Sequence, residues 1–316
     1  MTVVLDDTDS VQAVCGANDC NLREIEDCFG GRIIPQGNEL HLESTDSAIT
    51  MRMQMVVERL VESAKRFGTA SPDYLKALLS GFDSTTIDRD HQAQTIEDNA
   101  IHIPQGFSRV YPRTYNQALY IKAVRQHDIV FCTGPAGTGK SFLAVAEALK
   151  EVLSHRRRKL VLTRPIVEAG ESLGFLPGDL AQKVNPYLRP LYDAMEALVP
   201  WETIQRMEET RMMEIAPLAY MRGRSLNDAI IILDEAQNTT KEQMKMFLTR
   251  IGEGSKAIIT GDTTQIDLPR KRDSGLVHAL SILANVPGLS CTWLNTLDVV
   301  RNPLVKKIIA AYDAEN

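Results

Sequence analysis

No apolar run in this chain is long. Across 316 residues the densest stretch is AIIIL at 229–233, a buried strand's length and far short of the roughly 20 residues that span a bilayer as a helix. The opening residues, MTVVLDDTDS, are acidic and lack the basic-then-apolar pattern of a secretory signal, so no membrane association and a cytoplasmic location are expected. Cysteine is sparse and odd in number, at Cys15, Cys20, Cys28, Cys132 and Cys291. The spacings give neither a CxxC pair nor a partnered zinc site, which leaves reduced, structural thiols. No internal repeat stands out.

What is present suits a globular protein: 44% apolar and 24% charged residues, at a length fitting one large α/β unit with a smaller appendage. The net charge of −6 conceals an asymmetry. Residues 1–100 carry 18 acidic and 8 basic side chains, a balance of −10, and residues 101–316 carry 23 acidic and 27 basic, a balance of +4. Such a shift suggests two domains with different partners.

The N-terminal part reads as a small α+β unit. An apolar stretch, VQAVC (11–15), stands as its first strand. A helix over 21–29, two strands at 31–35 and 39–43 joined by a QGN turn, and a long helix over about 46–67 follow. Ile49, Met53, Val56, Val57, Leu60 and Val61 form that helix's apolar stripe. A further helix over 72–80 precedes polar linker chemistry. The expected organisation is a small domain at 1–80, a linker at 81–108 and a larger domain at 109–316. There the pattern alternates strands and helices, the mark of a parallel sheet with crossover helices. Near-continuous apolar runs at 128–134, 159–165, 229–235, 256–262 and 289–295 are the strand candidates.

GPAGTGKS at 134–141 matches G-x-x-x-x-G-K-[ST]. Gly134, Gly137 and Gly139, with Pro135, Ala136 and Thr138, let the main chain curl so that successive N–H groups point at phosphate oxygens. The helix from about Lys140, through Ser141 and Phe142, turns its positive end to the same anion. Lys140 is placed for the β/γ-phosphates and the Ser141 hydroxyl for Mg²⁺. In IILDEAQ, four apolar residues deliver Asp234 and Glu235 to a strand's C-terminal end, where open α/β sheets bind ligands. Asp234 is the expected second Mg²⁺ residue, and Glu235 the group that orients and deprotonates an attacking water. ATP and Mg²⁺ are therefore the expected ligands, and a glutamate beside the metal aspartate favours hydrolysis over transfer.

The stretches 163–194 (TRPIVEAGESLGFLPGDLAQKVNPYLRPLYDA), 217–252 (PLAYMRGRSLNDAIIILDEAQNTTKEQMKMFLTRIG) and 260–270 (TGDTTQIDLPR) closely resemble the PhoH-like family of P-loop ATPases, over about residues 105–313. The resemblance implies a RecA-like core similar to the first core of superfamily 1 helicases. It also implies that Gln117, in RTYNQ, reads the adenine edge. Gly261, Asp262 and Gln265 then resemble a motif whose glutamine senses the γ-phosphate, and Arg301 stabilises transition-state charge. From the residues alone, Gln117 fits a solvent-facing helix position equally, Asp262 and Gln265 a turn cap, and Arg301 a surface ion pair.

Residues 16–44 resemble a small KH-like module, although the GXXG loop by which such modules clamp RNA does not occur at the expected helix junction. The basic run HRRRK (155–159) reads as a solvated loop. Arg164, Arg222, Arg224, Arg270, Lys271 and Arg272 lie near motifs at strand ends and suit phosphates. Three functions remain open: an ATPase stimulated by single-stranded nucleic acid, RNA favoured; a nucleotide-gated adaptor for an RNA-processing enzyme, such as an endoribonuclease of ribosomal-RNA maturation; and a small-molecule kinase. Because the helicases it resembles pair two RecA-like cores and this chain has length for one, the resemblance implies a homo-oligomer, expected as a hexameric ring, that completes the site.

Overall fold

The computed structural model describes residues 1–67, 70–82, 89–105, 107, 109–165 and 180–300. These form two compact units, Met1–Asp98 with Tyr111–Tyr115, and Asn99–Val110 with Asn116 onward.

In the first unit, β1 (Thr2–Val4), β3 (Glu39–Glu43) and β2 (Arg32–Gln36) form an antiparallel sheet in the order β1-β3-β2. The helices are α1 (Thr8–Cys15), α2 (Cys20–Phe29), α3 (Ser47–Phe67), α4 (Pro72–Phe82) and α5 (Arg89–Asp98). The stretch 11–15, expected as a strand, is the end of α1. Asp7 caps this helix by accepting from Ser10 N at 2.7 Å. Val11, Val14 and Cys15 are buried at helical spacing, so a window of five residues was too short to separate the two periods. The first strand lies earlier, in the VV of MTVV. Met53, Val56, Val57 and Leu60 of α3 are fully buried, as their stripe requires. Residues 89–98 of the expected linker form α5 in this unit.

The second unit is built on a six-stranded, all-parallel sheet. Its strands are β6 (Ile129–Thr133), β7 (Lys159–Arg164), β8 (Met213–Pro217), β9 (Ala229–Leu233), β10 (Lys256–Gly261) and β11 (Leu289–Trp293), in the order β11-β6-β10-β9-β7-β8. Period-2 alternation sends successive residues to opposite faces, so two cores form. On one face Val130, Leu160, Leu162, Ile230, Ile232 and Ile258 pack with α6 (Tyr115–Gln126), α7 (Lys140–Leu153), α8 (Leu180–Glu196) and α9 (Trp201–Glu209). On the other, Phe131, Val161, Ile231, Leu233 and Ile259 pack with α10 (Lys241–Leu248) and α11 (Gly275–Leu283). The short pair β4 (Ile101–His102) and β5 (Arg109–Val110) adds Ile101 and Val110 to the first core. This is the expected P-loop NTPase core with a small α+β unit preceding it. Among the described residues no helix is long and apolar enough to cross a membrane.

Candidate functional site

The loop 134–139 joins β6 to α7 at the C-terminal end of the sheet. A Cβ at Gly134 would lie 2.5 Å from Leu294 O, so only glycine fits beneath the turn that follows β11. Gly137 (φ 82°) and Gly139 (φ 79°) take left-handed backbone that glycine adopts without strain. Thr138 Oγ1 closes the curl by donating to Pro135 O at 2.8 Å. Val300 N donates to Gly137 O at 3.0 Å, which ties the chain beyond β11 to the loop.

Lys140 opens α7 and is 9% exposed. Its Nζ donates to Gly134 O (2.6 Å) and Pro135 O (2.8 Å). Burial pulls the Lys140 pKa below its ordinary value, against the opposing pull of Asp262, Asp234 and Glu235. Ser141 Oγ donates to Asp234 Oδ1 at 2.6 Å, and Thr260 Oγ1 of β10 donates to the same oxygen at 2.7 Å. Asp234 follows β9, is 5% exposed, and its main-chain N–H donates to Thr163 O of β7 at 3.0 Å. Three strands and one helix thus fix a single carboxylate. A serine hydroxyl beside an aspartate is a hard oxygen donor set of the kind Mg²⁺ takes together with phosphate oxygens.

Glu235 has left-handed backbone (φ 52°), unusual for a residue with a side chain. Its Oε1 lies 3.2 Å from Arg164 Nη2, and its Oε2 accepts from Gln237 Nε2 at 2.5 Å. Gln237 is buried, and its own Oε1 accepts from Asp262 N at 3.0 Å. Asp262 Oδ1 accepts from Thr264 N and Oγ1 at 2.9 and 2.6 Å, whereas its buried Oδ2 has no partner among the described residues. Gly261 has no room for a side chain, since a Cβ would meet Leu276 at 2.5 Å and Gln237 Oε1 at 2.9 Å.

A cavity of about 270 Å³ gathers these groups. Of the residues expected at the site, Ala136, Gly137, Gly139, Lys140, Ser141, Phe142, Asp234, Glu235, Gly261, Asp262 and Gln265 line it. Gln117 does not line it: the side chain is buried and Nε2 donates to Thr138 O at 3.0 Å, supporting the loop from behind. Arg301, and 166–179 of the long motif, lie outside the described residues. Sequence reading missed Thr260 and Gln237, and did not see that Arg164 pairs with Glu235. The signal available for Thr260 was a hydroxyl residue directly after the apolar run AII (257–259).

Several basic residues are paired within the chain. Arg156 and Arg157 face Glu151 at 3.5 and 4.0 Å, while Arg224 (2.5 Å) and Lys159 share Glu214. Arg270 pairs with Asp273 at 2.8 Å. Arg222, Lys271 and Arg272 are exposed.

Comparison with known proteins identifies a family. The family model described as PhoH-like protein matches residues 109–313. A PhoH-like protein of Synechocystis sp. (strain ATCC 27184 / PCC 6803 / Kazusa) is 44% identical over 315 residues, covering 99% of this chain and 94% of that one. A PhoH-like protein of Bacillus subtilis (strain 168) is 43% identical over 316 residues, covering 100% and 98%. Protein PhoH of Escherichia coli (strain K12) is 42% identical over 207 residues, 65% of this chain and 58% of that one. With the family model covering the whole parallel-sheet core and relatives matching nearly end to end, the chain belongs to the PhoH-like protein family and carries a P-loop NTPase-type nucleotide site.

Proposed function

We propose that this protein hydrolyses ATP with Mg²⁺ and couples that hydrolysis to single-stranded nucleic acid, RNA above all. The observation that carries the hydrolytic part is the shared carboxylate. Asp234 holds the P-loop hydroxyl of Ser141 at 2.6 Å, and Glu235, the next residue, opens onto the same cavity as Lys140. The loop amides and the Lys140 ammonium bind the phosphates. Ser141 and Asp234 hold Mg²⁺, which when bound offsets charge on the phosphate oxygens. Glu235 orients a water and takes its proton. Asp262 and Gln265 face the phosphates from the loop after β10.

The nucleic-acid part rests on charge. The positive balance of 101–316 and the exposed Arg222, Lys271 and Arg272 suit a phosphodiester backbone. The first unit is not assigned that role, because the α1–α2 junction is Gly16-Ala17-Asn18-Asp19 and ends in a carboxylate where a backbone-clamping loop has glycine. A homo-oligomer, as a hexameric ring, supplies the missing face of the site, with Arg301 as the charge-stabilising arginine. The edge strand β11 and the turn after it expose Trp293 (58%) and Leu297 (87%), an apolar edge suited to such an interface. ATP turnover measured alone and with single-stranded RNA, single-stranded DNA and duplex tests the reading. Stimulation by the single strand is expected. Turnover indifferent to all three would instead support the nucleotide-gated adaptor.

A further inference from the structure

A second cavity, of about 220 Å³, lies at the opposite end of the parallel sheet from the P-loop. Arg125 of α6, Glu147 and Glu151 of α7, Arg156 and Arg157 of the turn after α7 and Lys256 at the start of β10 line it. Lys140 and Glu151 share one helix and stand about 16 Å apart along its axis, at a rise of about 1.5 Å per residue. Four of these six residues are cationic and two are carboxylates. Glu147 is already shared between two cations: Arg125 donates to both its oxygens at 3.0 Å, and Lys150 donates to one at 2.8 Å. That leaves Glu151 for Arg156 and Arg157, at 3.5 and 4.0 Å. Lys256 is 6% exposed and has no carboxylate partner among the described residues; its Nζ donates to the main-chain oxygens of Val124 and His127 at the end of α6. Capping the helix uses two of its three N–H groups and supplies no full counter-charge. Burial pulls the Lys256 pKa below its ordinary value and the Arg157 guanidinium adds to this, against opposing pulls from Glu151, Asp128 and Glu147. Arg157 Nη1 donates to Gly254 O, but its Nε is buried with no hydrogen-bond partner among the described residues. An unpartnered buried N–H on a charged group is costly, and here it belongs to a residue that lines an open cavity.

We propose that this cavity binds a phosphate-class oxyanion through Arg156, Arg157 and Lys256, as a site separate from that of the nucleotide. The arginine fork and the lysine point charge are the two donor types that phosphate oxygens take. The volume admits a phosphate or a diphosphate and falls below the roughly 300–1,000 Å³ of pockets that hold larger organic ligands. The oxyanion is either free in solution or the 5′-terminal phosphate of an RNA strand. Both present the doubly charged group that a cluster with surplus cations can offset, whereas an internal phosphodiester carries a single charge.

Calorimetric titration of the full chain without Mg²⁺ tests the site, with sodium diphosphate and with 5′-phosphorylated and 5′-hydroxyl oligouridine of one length. Arg157→Gln weakens the binding by about tenfold or more, the cost of a lost hydrogen bond to a charged group. If diphosphate is the ligand affected, the free anion is the source. If diphosphate does not bind and Arg157→Gln removes an advantage of the 5′-phosphorylated strand over the 5′-hydroxyl one, the strand end is the source. Glu151→Gln removes the carboxylate that competes for Arg156 and Arg157 and tightens the same binding several-fold, a gain that a misfolded variant cannot produce. Lys140→Ala, which acts on the nucleotide loop, leaves the Arg157-dependent binding in place. A folded Arg157→Gln chain with all three affinities at the parental value overturns the site. If that variant does not fold, absence of tightening in Glu151→Gln overturns it.

Discussion

Asp234 Oδ1 accepts hydroxyls from two elements far apart in sequence, Ser141 at 2.6 Å and Thr260 at 2.7 Å. The Ser141 half of this arrangement was legible, because a P-loop serine and a strand-terminal aspartate are each local signatures. The Thr260 half was not, since it follows from the pairing of β9 with β10 in register. Gln237 escaped in part for the same reason: its donation to Glu235 is local, but its acceptance from Asp262 N joins the ends of two neighbouring strands. Asp234→Asn keeps the shape and removes the charge. It should raise the Mg²⁺ concentration for half-maximal turnover at least about tenfold, roughly 1.4 kcal/mol; an unchanged metal titration argues against the assignment. Glu214 gives a prediction in pH. Hydrogen bonds from Arg224 first, then Lys159, hold its carboxyl at about 2, below the ordinary 4.5. A depressed folded-state pKa adds stability that is present above about 4.5 and is lost as pH falls toward 2. Parent minus Glu214→Gln stability, read from urea unfolding, should therefore be positive at neutral pH and shrink through that window. A pH-independent difference would show that the pairing contributes nothing.

At the scale of elements, the strands buried on both faces were readable because nothing in them alternates, as β6, β7, β9 and β10 show. β8 was missed. Its sequence, MEIAP, lies at a sheet edge, leaves Glu214 and Ile215 partly exposed and ends in proline, so neither continuous apolarity nor clean alternation marks it. The helix α10 anchors one core through Phe247, which is fully buried. Phe247→Ala should lower the stability of the parallel-sheet unit by about 3–5 kcal/mol, the usual cost of deleting a buried aromatic. Chemical denaturation measures it, and a loss below about 1 kcal/mol would mean that the site collapses around the gap.

For the whole molecule, the division between an acidic N-terminal part and a mildly basic C-terminal part was visible in composition, but the boundary was not. Residues 89–98 read as polar linker because α5 has little amphipathic pattern, yet they belong to the first unit. The oligomer carries its own test. Mixing a Lys140→Ala chain with an Arg301→Ala chain should restore activity, because some interfaces then hold one intact loop and one intact arginine. Confirmed mixed oligomers without rescue would place Arg301 in its own subunit's site or outside catalysis.

The central claim is that Glu235 activates water for hydrolysis beside a nucleotide held by the P-loop. The most direct measurement is ATP binding and single-turnover hydrolysis by Glu235→Gln beside the parent chain. The account predicts ATP affinity within about twofold of the parent and hydrolysis slowed by 10²–10⁴, the range that a general base contributes. Hydrolysis at the parental rate with ATP bound would contradict it.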